Sequence, residues 1–454
     1  MSSHTPKHVA AAAEAMLDAT LNWDAWCFRR VDSIEPLDDE RGHRRYSVDC
    51  TPPPDPRLAY EPGERRHKKI TKVNGRVMLP LAYIEKGPLR RFDARTGEGG
   101  SLPVLGMSES IPIVVAMMER MLRVDGVTFT SHTLPALREI AGPATSSADR
   151  TEVLQFLATG RWRGTVAWAG SRPPSQLTSA AIQTTAQRFL LIALIDARYV
   201  GTRQLIKYSH AWYVENSWKS RLTAPLVAAG WGPRILEVVP HMADAAASYH
   251  LELVVPRELR CTKVLLPPPE SAPDVHGYVD TAAQPVAHAF LSYTSAPAGP
   301  AEVHLSVPAR GMWLTALLIT GLTAVLVGLM RFLPYAKETW VNSPDSASAL
   351  LIAAAALLVG YLAAGREHSL VLSALNFLRS LLLLSMLSLL LVATSIVGQL
   401  HQPYLDWLWA ALLLLNAAAA GFLLLPRLMS KVQSMIGFVT RWVQRENNGA
   451  GQHD

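Results

Sequence analysis

The chain has 454 residues, a formal net charge of +6 and 49% hydrophobic residues. Its three cysteines, Cys27, Cys50 and Cys261, form no CxxC pair and are odd in number; neither a disulfide framework nor a zinc site is suggested, and buried thiols are expected. The length admits more than one domain, and two unlike parts stand out. Residues 1–310 are mixed, charged and proline-rich, whereas 311–425 are dominated by Leu, Ala, Val and Ile.

In chain order, 8–21 reads as an alanine-rich helix, and Glu14 and Asp18 interrupt what would have to be the apolar core of a signal peptide. Export by a cleaved signal is not expected. Two alternating runs then flank "DDERG", the pattern of a β-hairpin. Short strands are predicted at 77–84, 89–94 and 102–105, joined by turns at "EKGP" and "TGEGG". Helices are predicted at 113–123, with Ser108 as a cap, and at 134–140, 150–158 and 177–188. From Phe189 seven short alternating or apolar runs follow, from "FLLIALID" to "AEVHLSVP". They predict a β-sandwich-like domain over 189–310 after an α+β domain over 1–188.

Four apolar stretches, 312–330, 348–364, 380–400 and 408–425, are expected to cross a membrane, making 311–426 a four-helix transmembrane region. Apolar on every side, they would leave no polar face for water. The tail 427–454 places Leu428, Val432, Met435, Ile436, Val439, Trp442 and Val443 on one helical face, with Arg427, Lys431, Arg441 and Arg445 on an adjoining sector. A basic amphipathic helix at anionic headgroups is expected, followed by a disordered end. Its cations, set against a loop "HQPYLDW" with none, predict that both termini are cytoplasmic. Arg331 and Lys337 oppose that orientation. Arg379 is expected to mark the inner boundary of the third span rather than sit at mid-bilayer.

No HExxH, phosphate-binding glycine loop or GxSxG elbow is present. No cofactor, metal or catalytic residue is predicted. Basic clusters at 41–46, 63–72 and 89–95 carry interleaved acids, which favours solvated faces over an anion site. The cations best placed for anionic headgroups or a partner are Arg65, Arg66, Lys68 and Lys69, with Arg427, Lys431, Arg441 and Arg445 in the tail. Asn416 is the one strongly polar side chain deep inside a span.

The run "LPLAYIEKGPLRRFDARTGEGGSLPVL" (79–105), the β-rich segment after it and the "GREH" turn (365–368) resemble uncharacterised multi-span membrane proteins of actinobacteria. The resemblance implies this architecture and a bacterial plasma membrane, with no activity attached. Expected partners are the lipid bilayer, anionic headgroups and a protein on the cytoplasmic side. A homo-oligomer stays open, and nucleic acid is not expected. The expected role is non-enzymatic docking or sensing at the membrane. The alternatives are a pore-forming effector gated by the cytoplasmic part, and an enzyme acting on lipid or nucleotide.

Overall fold

A computed structural model of the chain describes residues 6–37, 41–60, 75–87, 90–143, 150–169, 173–213, 218–256, 258–267, 278–279, 286–291, 299–333, 344–363 and 369–449. The chain opens with α1 (Lys7–Leu21), whose Ala12, Ala13, Ala15, Met16 and Ala19 are buried. The hairpin around "DDERG" follows as β1 (Cys27–Pro36) and β2 (Arg41–Cys50), paired antiparallel. Next come β3 (Ala59–Tyr60), β4 (Arg76–Glu85) and β5 (Asp93–Thr96). Residues 102–105, expected as a strand, contribute only an isolated bridge from Val104 to Ala193.

Helices α2 (Met107–Val124), α3 (Thr133–Ala141), α4 (Arg150–Thr159) and α5 (Gln176–Gln187) fall where their apolar periodicity places them. The cap of α2 is Gly106 rather than Ser108. The Gly106 N–H donates to Glu109 Oε2 at 3.1 Å, which satisfies an amide that precedes the helix. Then follow β6 (Arg188–Asp196), β7 (Gln204–Tyr213), α6 (Trp218–Ala229), β8 (Arg234–Val238) and β9 (Tyr249–Val254). The soluble part ends with β10 (Arg260–Leu265), β11 (Tyr278–Val279), β12 (Val286–Leu291) and β13 (Ala301–Ser306).

A seven-stranded sheet in the order β11-β12-β9-β1-β2-β7-β5 forms the spine, with only the β1–β9 pair parallel. Two three-stranded sheets, β6-β4-β3 and β8-β13-β10, complete the frame. Strands after residue 188 therefore finish sheets begun before it: β6 pairs with β4, β7 lies between β2 and β5, and β9 lies beside β1. The expected division at 188/189 runs through two sheets. Alternation identifies a strand by its own residues, whereas its pairing partner is set by a distant segment. Val238, Val303 and Leu305 pack with Leu251, Leu253 and Ala289 of the spine.

Among the described residues four helices follow: α7 (Met312–Phe332), α8 (Pro344–Ala363), α9 (Ser369–Val397) and α10 (Gln402–Gly449). Among the described residues three stretches are long and apolar enough to cross a membrane: Met312–Phe332, Leu375–Val397 and Gln402–Met429, of mean hydropathy 2.1, 2.4 and 2.2. In the expected second span the apolar stretch, Ser348–Gly360, is shorter. Leu318, Leu322, Val325 and Leu414 are exposed on these helices, a surface suited to acyl chains rather than water. Arg379 lies near the start of the Leu375–Val397 stretch, inside one unbroken helix. Arg331, whose charge opposes the expected orientation, stands 3.8 Å from Asp406.

Asn416 is fully buried between α9 and α10. Its Oδ1 accepts from Ser385 Oγ, and its Nδ2 donates to Ser388 Oγ and to the Leu412 carbonyl, each at 2.9 Å. In an apolar solvent a side-chain bond between helices contributes about 0.6–2 kcal/mol. Asn416→Leu should therefore lower the thermal midpoint of the detergent-solubilised protein by a few degrees, and Asn416→Gln by less. An unchanged midpoint for Asn416→Leu would show that this bond does not hold α9 to α10.

Candidate functional site

Successive residues of a strand point to opposite faces. Arg30, Asp32 and Ile34 of β1 thus share one face of the spine, and all three are fully buried. Register sets Val48, Tyr46 and Arg44 of β2 beside them, then Ile206, Tyr208 and His210 of β7, with Tyr249 of β9 on the other side. Two apolar cores meet on this face. One gathers Tyr46, Val48, Ile206 and Tyr208 with α1 and α2; the other gathers Ile34, Tyr249, Leu251 and Leu253 with the β8-β13-β10 sheet. The polar row lies where they join.

Arg44 grips Asp32 with both arms of its fork, Nε to Oδ1 at 2.9 Å and Nη2 to Oδ2 at 2.5 Å. The same Nη2 donates to the Val239 carbonyl at 2.7 Å, and Tyr249 donates its hydroxyl to Asp32 Oδ2 at 2.7 Å. Arg30 donates to Tyr208 Oη at 3.0 Å and to the Leu81 carbonyl at 2.8 Å, leaving its buried Nε unbonded. Tyr46 stacks on Tyr208 with ring centres 4.6 Å apart, and His241 lies 5.5 Å from Tyr46.

Burial pushes the Tyr208 phenol up to about 12, and raises Tyr46 and Tyr249 well above the usual phenol range. Burial first, then the Arg44, Arg30 and Arg188 guanidiniums, holds His241 well below an ordinary histidine. Burial likewise lowers His210. The phenols stay protonated, Tyr249 as a donor to Asp32 and Tyr208 as the acceptor of Arg30, and His241 stays neutral, while Asp32 is enclosed by its arginine and tyrosine. This arrangement fixes geometry; it does not present a free base to a substrate.

A second constellation joins the soluble part to the apolar helices. Gly311, at φ +59, takes a left-handed turn that a side chain would strain, and it lets β13 pass directly into α7. Arg427 of α10 donates to the Val307 carbonyl at 2.6 Å and lies 5.2 Å from the Trp313 ring centre. A Cβ on Gly230 would come within 3.0 Å of the Arg427 guanidinium, so glycine there permits the close approach. Trp231 donates its ring N–H to the Phe422 carbonyl at 3.1 Å. One hydrophobic cluster runs from Ala228, Val303 and Leu305 in the soluble part into Trp313, Leu378, Leu382 and Leu423 of the helices.

Arg65, Arg66, Lys68 and Lys69 lie outside the described residues. Arg427 is half-buried at the seam and bonded to the soluble part. Lys431, Arg441 and Arg445 continue along α10, and their side chains lie outside the described residues. The basic run 41–46 divides: Arg44 is buried on Asp32, while Arg45 pairs with Glu35 at 2.8 Å. Arg30, Asp32, Tyr249 and His241 were not singled out from the sequence; alternation along "CFRRVDSIEP" and "RGHRRYSVDC" is the signal that carries the first two. Cys27, Cys50 and Cys261 are buried thiols. His250 Nδ1 lies 3.1 Å from His288 Nε2, and among the described residues no group of three His, Cys, Asp or Glu side chains is placed to hold a metal ion. No protein-family model matches the chain, and the comparison with curated proteins gives no match.

Removing one partner from a buried ion pair costs about 3–5 kcal/mol, because the other charge stays in the interior unpaired. Asp32→Ala should destabilise the soluble part by that amount, and Asp32→Ala with Arg44→Met together by clearly less. Chemical denaturation of the three variants measures the difference; additive losses would show that the two residues are not coupled.

A histidine held neutral in the folded state leaves the unfolded chain binding more protons in acid. Stability is then full above the unfolded pKa of about 6.5 and is lost as pH falls below it. Between pH 7 and 5 stability should fall by up to about 1.4 kcal/mol per pH unit for each of His241 and His210. His241→Gln should flatten that slope, and a slope identical to the wild type would remove His241 as its source.

Proposed function

We propose that the chain is an integral membrane protein whose soluble part docks or senses a protein partner and is joined stiffly to its membrane helices. The seam at Arg427 carries this reading. A flexible tether would let the two parts move independently. Here a shared core, the Arg427–Val307 bond and the Trp231–Phe422 bond tie the soluble part to two helices that are far apart in sequence. Charge flanking places both termini in the cytoplasm, and α8 serves as the fourth crossing. The resemblance to actinobacterial multi-span proteins supports a bacterial plasma membrane. The basic composition of the tail, with Lys431, Arg441 and Arg445, supports a contact with anionic headgroups. Asn416, Ser385 and Ser388 bond one another inside the bundle, which favours an anchor and transducer over a polar pore.

Tagged full-length chain extracted from its native membrane should retain a specific soluble protein through stringent washing. Retention of none under several growth conditions sinks the docking reading. The coupling has its own test. Arg427→Ala removes a charge-assisted bond and a ring contact, about 1.5–3 kcal/mol. Amide exchange around 307–315 should then quicken about 10- to 100-fold, with exchange in the centre of the seven-stranded sheet unchanged. Unaltered exchange at 307–315 shows that the seam does not depend on Arg427.

A further inference from the structure

A cavity of about 600 Å³ opens between α1, α2, α5 and the segments 239–245 and 299–300. Its size falls within the range of about 300–1,000 Å³ common for small-molecule sites. Met117, Met118 and Met121 of α2 form one wall, with Met242 contributed by the 239–245 segment. Methionine side chains are unbranched and polarizable, and they reshape around varied apolar ligands. Trp23 closes one end, its ring centre 5.7 Å from the Arg30 guanidinium.

The polar groups on the wall are few, and two of the threonines are already engaged. Thr20 and Thr185 donate their hydroxyls to the Leu17 and Ala181 carbonyls of their own helices. Asp244 is exposed to solvent. Arg188, at the start of β6, is half-buried and forms no salt bridge with any described residue, including Glu85, its register partner on β4. Around His241 the charges of Arg30, Arg44 and Arg188 act together, and the one carboxylate of the buried row, Asp32, is taken up by Arg44. An apolar chamber whose half-buried cation, Arg188, forms no salt bridge with the one lining carboxylate, the solvent-exposed Asp244, complements an apolar molecule carrying one negative group.

Position narrows the class further. The 239–245 segment leaves the end of β8 where Val238 pairs with Ala301, and β13 runs its whole length from there to Ser306 before the chain turns into α7. At about 3.3 Å per residue this sets the cavity roughly 17–20 Å from the membrane end of that sheet. Its ligand arrives through water, so a monomeric amphiphile fits better than a phospholipid taken from the bilayer.

We propose that this cavity is a binding site for a medium-chain aliphatic monocarboxylate, with the chain against the methionine wall and the carboxylate on Arg188. The site stands independently of the docking function proposed above, because the test reads binding alone.

The test uses full-length protein in lipid nanodiscs with isotope-labelled methionine methyl groups, titrated with decanoate. Met117, Met118, Met121 and Met242 should shift saturably, while Met386 and the exposed Met429 on the apolar helices serve as internal reporters of partitioning into lipid. A charge-assisted hydrogen bond contributes about 1.5–3 kcal/mol. Arg188→Gln should therefore weaken decanoate binding about 10- to 100-fold, Arg188→Lys should restore much of it, and decanol should bind weakly to wild type and Arg188→Gln alike. The ligand-free spectrum of Arg188→Gln, matching wild type, verifies its fold. Absence of saturable shifts at the four cavity methionines overturns the proposal. So do shifts that track those of Met386 and Met429, or equal affinity for decanoate and decanol.

Discussion

The Asp32–Arg44 pair sits where the two halves of the soluble part meet, and the rest of the frame is arranged around its cost. A carboxylate and a guanidinium without water lose several kcal/mol of hydration each, which only close, well-bonded contact offsets. Here the pair recruits Tyr249 from β9, the Val239 carbonyl beyond β8 and the stacked rings of Tyr46 and Tyr208. Those groups come from segments about 200 residues apart. Any packing that shifts the parallel β1–β9 register by two residues, which leaves the apolar alternation intact, separates Tyr249 from Asp32. The polar row therefore selects one register among those that the apolar alternation alone would accept.

From this centre the spine carries two cores on one face. The first core holds α1, α2 and the β6-β4-β3 sheet, and the cavity opens along its helices. The second continues past β13 into the apolar helices, so the soluble part and the bundle share an interior. Arg427 belongs to that continuity. An arginine at the edge of a membrane segment can extend its head toward headgroups, but here the Val307 carbonyl and the Trp313 ring engage it. A residue that looked like a lipid contact instead ties the returning helix to the strand from which the first helix departs.

Much of this architecture was legible one segment at a time. The period-two runs after residue 189 all became strands, and the helices of the first half lie within a few residues of their apolar patterns. Three of the four apolar stretches became helices long enough to cross a membrane. Pairing was not legible, because nothing within "SYHLELVVP" says that its neighbour is "CFRRVDSIEP" near the other end of the soluble part. Charge misled for a related reason. "RGHRRY" reads as a basic surface, yet Arg44 lies on the same side of β2 as Tyr46 and Val48, and that parity assigns it to the interior. His241 and Arg188 carry no local signal at all. One gains its surroundings from a loop folding over the sheet, and the other from standing beside a cavity made by distant helices.

The parallel pairing of β1 with β9 also sets an order of events during synthesis. About 220 residues separate the two strands. At common translation rates of about 5–20 residues per second, β1 waits roughly 10 to 45 s for its neighbour. Until then one edge of the hairpin is open and Asp32 lacks Tyr249. The strands that close the sheet emerge only shortly before α7, the first apolar helix, begins. Completion of the sheets and emergence of the first apolar helix thus fall within the same short interval, and the seam at Arg427 forms last, when α10 returns. The chain is built so that its main sheet cannot be finished long before its first apolar helix follows it out of the ribosome.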